Sequence, residues 1–150
     1  VLQEERDIVY IHKVESVSGA IRMFSRIGMR RPLYCTGVGK AILATQSYGE
    51  AERVWRKSTI RPLTQHTITD FGALVEELKR VRMAGYAVDD EENELGIRCV
   101  ALAVPGMNGR AEAAFSISGL AAQMTAQRMK DLAQMGLSAR QDILRDLGWH

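Results

Sequence analysis

Residues 96–119, GIRCVALAVPGMNGRAEAAFSISG, limit the fold more than any other stretch. Two strand-like runs flank GMNG, which carries the asparagine and glycine of a hairpin turn. Side chains alternate across a strand. In the first run Ile97, Cys99, Ala101 and Ala103 share one face, and Arg98, Val100, Leu102 and Val104 share the other. In the second run Ala114, Ser116 and Ser118 alternate with Ala113, Phe115 and Ile117. A four-residue loop, Gly106 to Gly109, sets Cys99 opposite Ser116 and Ile97 opposite Ser118. A two-residue Asn108–Gly109 loop slides the pairing by two and keeps the faces. A one-residue bulge in either strand would overturn the assignment. One face of the hairpin is therefore bulky and apolar and needs a cover. The other is small, and its hydroxyls and thiol suit a pocket for a polar ligand. Plain packing accounts for the same residues, with the cysteine as a small core hydrophobe and the serines facing solvent.

The remaining elements supply the cover. DIVYIHKV (7–14) alternates and reads as a strand, with AIRMFSRIG (20–28) as its partner through the turn-rich ESVSG. CTGVGKAILA (35–44) leads from small residues into a helix, and YGEAERVWRK (48–57) is a second short helix. Residues 69–86 form a third, with Thr69 or Asp70 as cap, Phe71, Leu74, Val75, Leu78 and Val81 on one face, and Gly85 at its end. YAVDD is a strand before the hairpin. A long helix follows from Thr125 to about Leu147, with Met129, Leu132, Ala133, Gly136, Ile143, Leu144 and Leu147 near one stripe. The order β-β-α-α-α-β-β-β-α describes one α/β sandwich with a mainly antiparallel sheet.

Composition removes several function classes. A chain of 150 residues, 46% hydrophobic and 25% charged, suits one domain with a real core. The net charge of +2 lacks a basic block, so these residues are not expected to bind DNA specifically. Cys35 and Cys99 make no disulfide framework, which suits a reducing cytoplasm. No apolar run approaches a membrane span, and no membrane partner is expected. The chain starts at Val1 without methionine and enters a strand almost at once, so a preceding domain is expected.

Two further stretches bear on a site. In CTGVGKA (35–41), Gly37 and Gly39 precede a helix whose first N–H groups lack intrahelical acceptors and suit an anion. The spacing is not that of a phosphate loop, and the plainer reading is a tight turn with Lys40 in solvent. The acidic run DDEENE (89–94) lacks the alternation of a calcium loop. Asp90, Glu91, Glu92 and Glu94 read as solvated, whereas Asp89 ends a strand and can face inwards. A metal-sensing site from Cys35, Asp89 and Cys99 is the alternative, though no metal-ligand spacing supports it. A nucleophilic cysteine needs a base, and His12, His66 and His150 lie in no cysteine-hydrolase signature. No catalytic residue and no cofactor is expected.

Taken together, IRMFSRIGMRRPLYCTGVGKAILA (21–44), PLTQHTIT (62–69), VRMAGYAVDDEENELGIRCVALAVPGMNG (81–109) and AAFSISG (113–119) resemble the C-terminal effector-binding domain of IclR-family bacterial transcription regulators. The resemblance runs from about Asp7 to Leu147. It implies a GAF/profilin-like α/β fold, a small carboxylate metabolite as effector, self-association, and DNA contact only through a winged helix-turn-helix preceding these residues. Carried over, the effector pocket uses the main-chain N–H groups of Gly37 and Val38, Asp89, Cys99, Ser116, Ser118 and Met23. The expected ligand is a sugar acid or a keto or hydroxy acid, its carboxylate on the helix amides because Arg98 points away and no other arginine joins the pocket row. An aromatic acid ranks lower, because that row offers no ring. Trp55 and Trp149 are candidates for a self-association surface.

Overall fold

The computed structural model describes residues 1–17 and 23–149. Among these residues six strands form one antiparallel sheet in the order β3-β2-β1-β6-β5-β4. They are β1 (Leu2–Glu4), β2 (Asp7–Val9), β3 (Arg30–Pro32), β4 (Ala87–Asp90), β5 (Ile97–Pro105) and β6 (Ala111–Leu120). Helices α1 (Gly37–Leu43), α2 (Tyr48–Lys57) and α3 (Phe71–Ala84) lie between β3 and β4, and α4 (Ala126–Asp146) follows the sheet. Asp70 caps α3 by accepting from the Ala73 amide at 2.8 Å, and Gly85 ends it at a positive φ of 81°.

The core has two compartments, one on each side of the hairpin. On one side Val100 and Leu102, with Phe115 and Ile117, pack on Leu132 and Ala133 of α4. A Cβ at Gly136 would stand 2.5 Å from Leu102 Cδ1, so the glycine lets α4 seat directly on the strand. On the other side Ala101, Ala103 and Ala114 belong to a compartment with α1 and α3. A Cβ at Gly37 would come within 3.2 Å of Ala101 Cβ, and one at Gly39 would meet Leu33 O at 2.1 Å. Small residues on both surfaces bring α1 close to the sheet.

The hairpin register is the pairing slid by two, not that of the four-residue loop. Cys99 pairs with Ser118 and Ala101 with Ser116. Gly106–Arg110 form a five-residue connection between Pro105 and Ala111, which alone would invert the faces. A bulge restores them: Pro105 faces Ala111 while Val104 faces Ala113, leaving Glu112 as the extra residue. The two one-residue shifts add to a slide of two, so the small and bulky faces are those expected from the alternation.

Three other expectations need correction. The strand at 7–14 is only β2, held between β1 and β3. Of its expected partner, residues 23–28 form no strand, and 20–22 lie outside the described residues. The ladder instead continues from Tyr10 to Met29, and Lys13 Nζ donates to the Met23 and Ser25 carbonyls where strand pairing was expected. The α4 stripe is buried at Leu132, Ala133 and Gly136, but Ile143 and Leu147 are 36% and 50% exposed because α4 extends past the sheet residues it covers. Trp55 is not a surface aromatic. It lies edge-on to Tyr34 at 5.6 Å and tilted on Phe71 at 5.7 Å.

Candidate functional site

Beyond the alanines that α1 covers, the small face of the hairpin opens into a pocket. Ile97, Cys99, Ser116 and Ser118 line it from the sheet, and Thr36, Gly37 and Val38 from the start of α1. Asp89, Asn93 and Glu94 close one side, and Met23, Phe24 and Ser25 close another. All seven residues expected at an effector site therefore line one concavity. They come from the 23–29 stretch, α1, β4, β5 and β6.

Local chemistry fixes each of them. Thr36 Oγ1 donates to Pro32 O at 3.0 Å and accepts from the Gly39 amide at 3.1 Å, which starts α1 beside the sheet. Gly37 and Val38 occupy the first turn, where amides have no intrahelical acceptor. Ser118 Oγ donates to Cys99 Sγ at 2.9 Å across the paired strands. Burial, reinforced by the charge of Asp89, pushes the Cys99 thiol up to about 12. Burial does the same for Cys35, also to about 12. Both sulfurs are held away from the thiolate that a nucleophile requires. Among the described residues no group of three or more His, Cys, Asp or Glu could hold a metal ion, so Cys35, Asp89 and Cys99 do not assemble one.

Asp89 does face inwards. It is 4% exposed and stands opposite Cys99 in the β4–β5 pair. Its Oδ1 accepts from the Glu92 amide at 2.8 Å and the Asn93 amide at 3.4 Å, folding the acidic run back over the carboxylate. Burial raises its pKa to about 6, against the opposing pull of those amides and of the Lys40 charge.

Lys40 and Glu92 overturn the reading of solvated side chains. Lys40 is fully buried, and its ammonium donates to Glu92 Oε1 at 2.5 Å, Val88 O at 2.6 Å and Glu77 Oε1 at 2.9 Å. All three of its N–H bonds are used. The contact to Val88 O sits one residue before Asp89, so the lysine joins α1, α3 and β4 directly behind the pocket. Glu92 is 7% exposed, and burial, set against the attraction of Lys40, raises its pKa to about 7. Burial also acts on Glu77, but hydrogen bonds from Arg80 and Lys40 outweigh it and hold that carboxyl below its ordinary value.

The alternation argument missed Arg31, Tyr10 and Phe24, which also line the pocket. Both premises about the ligand's anchor therefore change: an arginine is present, and so are two rings. Burial raises the Tyr10 hydroxyl to about 12, so it remains a donor. The signal that marks Arg31 is its position before Pro32 in a three-residue edge strand, too short to show a period.

Comparison with known proteins bears on the fold and family. The family model for the bacterial transcriptional regulator IclR C-terminal matches residues 1–145. The HTH-type transcriptional regulator KdgR of Escherichia coli (strain K12) is 37% identical over 147 residues, covering 98% of this chain and 56% of that protein. The Thermotoga maritima IclR structure superposes with a TM-score of 0.92 at 38% identity, covering 99% of this chain and 60% of that one. A double mutant of the PobR inducer-binding domain from Acinetobacter, solved with 3-hydroxybenzoic acid, superposes at 0.84 with 26% identity, covering 97% of this chain and 85% of that one. The chain spans about half the length of the curated relative it matches.

Proposed function

This chain belongs to the IclR C-terminal family of bacterial transcriptional regulators, and from that premise we propose that it senses a small carboxylate metabolite. The observation that carries the proposal is the convergence of Met23, Gly37, Val38, Asp89, Cys99, Ser116 and Ser118 on one pocket. A sugar acid or a keto or hydroxy acid suits this lining. Asp89 accepts from a ligand hydroxyl, and Ser116 and Ser118 both donate and accept. A purely hydrophobic ligand would leave these groups unpaired at about 1–3 kcal/mol each. Tyr10 and Phe24 remove the reason for ranking aromatic acids lower, and the PobR neighbour was solved with 3-hydroxybenzoic acid. The class is therefore a small hydroxylated or keto acid, with or without a ring.

The coupling follows from linkage. Ligand binding changes DNA affinity only by favouring one of two states of the regulator. The part positioned to report occupancy is the Asp89–Asn93 turn, which the Lys40 ion cluster ties to α1 and α3. As part of the same proposal, DNA contact would come from a winged helix-turn-helix outside these residues, and the effector domains would self-associate. A thermal-shift screen over sugar acids, keto acids and hydroxybenzoates tests the core of the proposal. The best acid should raise the melting temperature, and Ser116→Ala and Asp89→Ala should each weaken it. Unchanged affinity in both variants rejects the pocket.

A further inference from the structure

We infer that Arg31 is the charged anchor for the effector's acid group, so that the pocket selects acids over their neutral analogues by this side chain. The inference rests on the reading of the pocket as an effector site. Arg31 is the central residue of β3 and pairs with Ile8 of β2. Residues directly opposite in an antiparallel pair share a face, and Ile8 is fully buried in the compartment beneath α1. Arg31 is thereby turned inwards, onto the pocket. Arg30, its neighbour, is exposed and pairs with Glu4.

The contrast with the other half-buried arginines is informative. Arg98 donates to Asp90 Oδ1, Arg110 to Glu50 Oε1 and Arg140 to Gly85 O. The Arg31 guanidinium, equally half-buried, has no hydrogen bond or ion pair among the described residues. A cation withdrawn from water without a partner is costly. The guanidinium fork matches a carboxylate with two parallel N–H bonds, and Arg is more weakly hydrated than Lys. Asp89 makes no ion pair or hydrogen bond with Arg31 among the described residues, and its Oδ1 accepts instead from the Glu92 and Asn93 amides. The Arg31 charge reaches Tyr10 on the cavity wall, where it opposes the rise of the hydroxyl's pKa. An effector carboxylate on Arg31 leaves its hydroxyl or keto groups to Ser116, Ser118 and Asp89.

Calorimetry tests this with three acids, D-gluconate, pyruvate and 3-hydroxybenzoate, each beside its primary amide. On the wild-type chain at least one acid should bind, more tightly than its amide. In Arg31→Gln the affinity for that acid should fall at least tenfold, roughly what one charged hydrogen-bonded pair supplies. The amide should hardly change, so the preference for the acid collapses. Arg31→Lys should keep part of it. Arg31→Met provides a second neutral variant, with melting temperature as the check on folding. An unchanged acid-to-amide ratio in the neutral variants overturns this inference and leaves the pocket standing, as does equal loss of acid and amide. If no acid binds the wild-type chain, the inference falls together with the reading on which it rests.

Discussion

The two faces of the β5–β6 hairpin use alternate residues of the same strands, and different physics holds their partners in place. On the bulky face Val100, Leu102, Phe115 and Ile117 meet α4 through apolar contact, with Gly136 admitting the Leu102 side chain. On the small face Ala101 meets Gly37 of α1 at a distance that suits glycine, and a buried ion cluster holds the neighbouring elements. Apolar packing fills all available space. The other arrangement leaves a gap where the alanines give way to Cys99, Ser116 and Ser118. One strand pair can thus be a core on one side and a binding site on the other.

The comparison breaks most severely at Lys40. Lys40→Met leaves Glu92 and Glu77 without their buried cation, and stability should fall by about 3–5 kcal/mol in urea unfolding. A smaller loss is expected on the bulky face. Leu102→Ala removes a fully buried side chain against α4, at about 2–4 kcal/mol, while ligand affinity at fixed temperature stays within about threefold. A large affinity loss there would show that the two faces are not independent.

Glu92 gives a subtler test through pH. Its folded-state pKa of about 7 lies above the ordinary 4.5, so the folded protein holds this proton more tightly than the unfolded chain. The stability from that protonation is fully present below the ordinary value and is lost as pH rises through about 7. Relative to Glu92→Gln, which cannot titrate there, the wild-type urea midpoint should decline between pH 5 and pH 8. Parallel curves would place the titration elsewhere.

Much of this contrast was legible in the sequence. The two faces follow from alternation over 96–119, and the caps of α3 follow from Asp70 and Gly85. The choice between the two registers that keep these faces was not legible, because it depends on a loop length and a bulge that together slide the pairing by two. Lys40 looked solvated because its partners Glu77 and Glu92 lie 37 and 52 residues away and no local pattern joins them. Arg31 was missed because three residues of an edge strand show no period, and only the pairing with Ile8 turns the side chain inwards. Met23 and Val38 entered through the family resemblance, whereas Gly37 also follows from the glycine turn before α1, and Cys99, Ser116 and Ser118 from the hairpin itself.

The central claim is that the small face of the hairpin is the binding site. Ser116→Val tests it most directly, because it exchanges a pocket hydroxyl for apolar volume on the same strand. Calorimetry of wild type, Ser116→Val and Leu102→Ala against the best acid of the screen provides the measurement. Binding should fall at least tenfold in Ser116→Val, whose melting temperature should stay near that of wild type, and should persist in Leu102→Ala. Full affinity in Ser116→Val would contradict the account, since a ligand seated on the small face cannot tolerate both the lost hydroxyl and the added methyl groups.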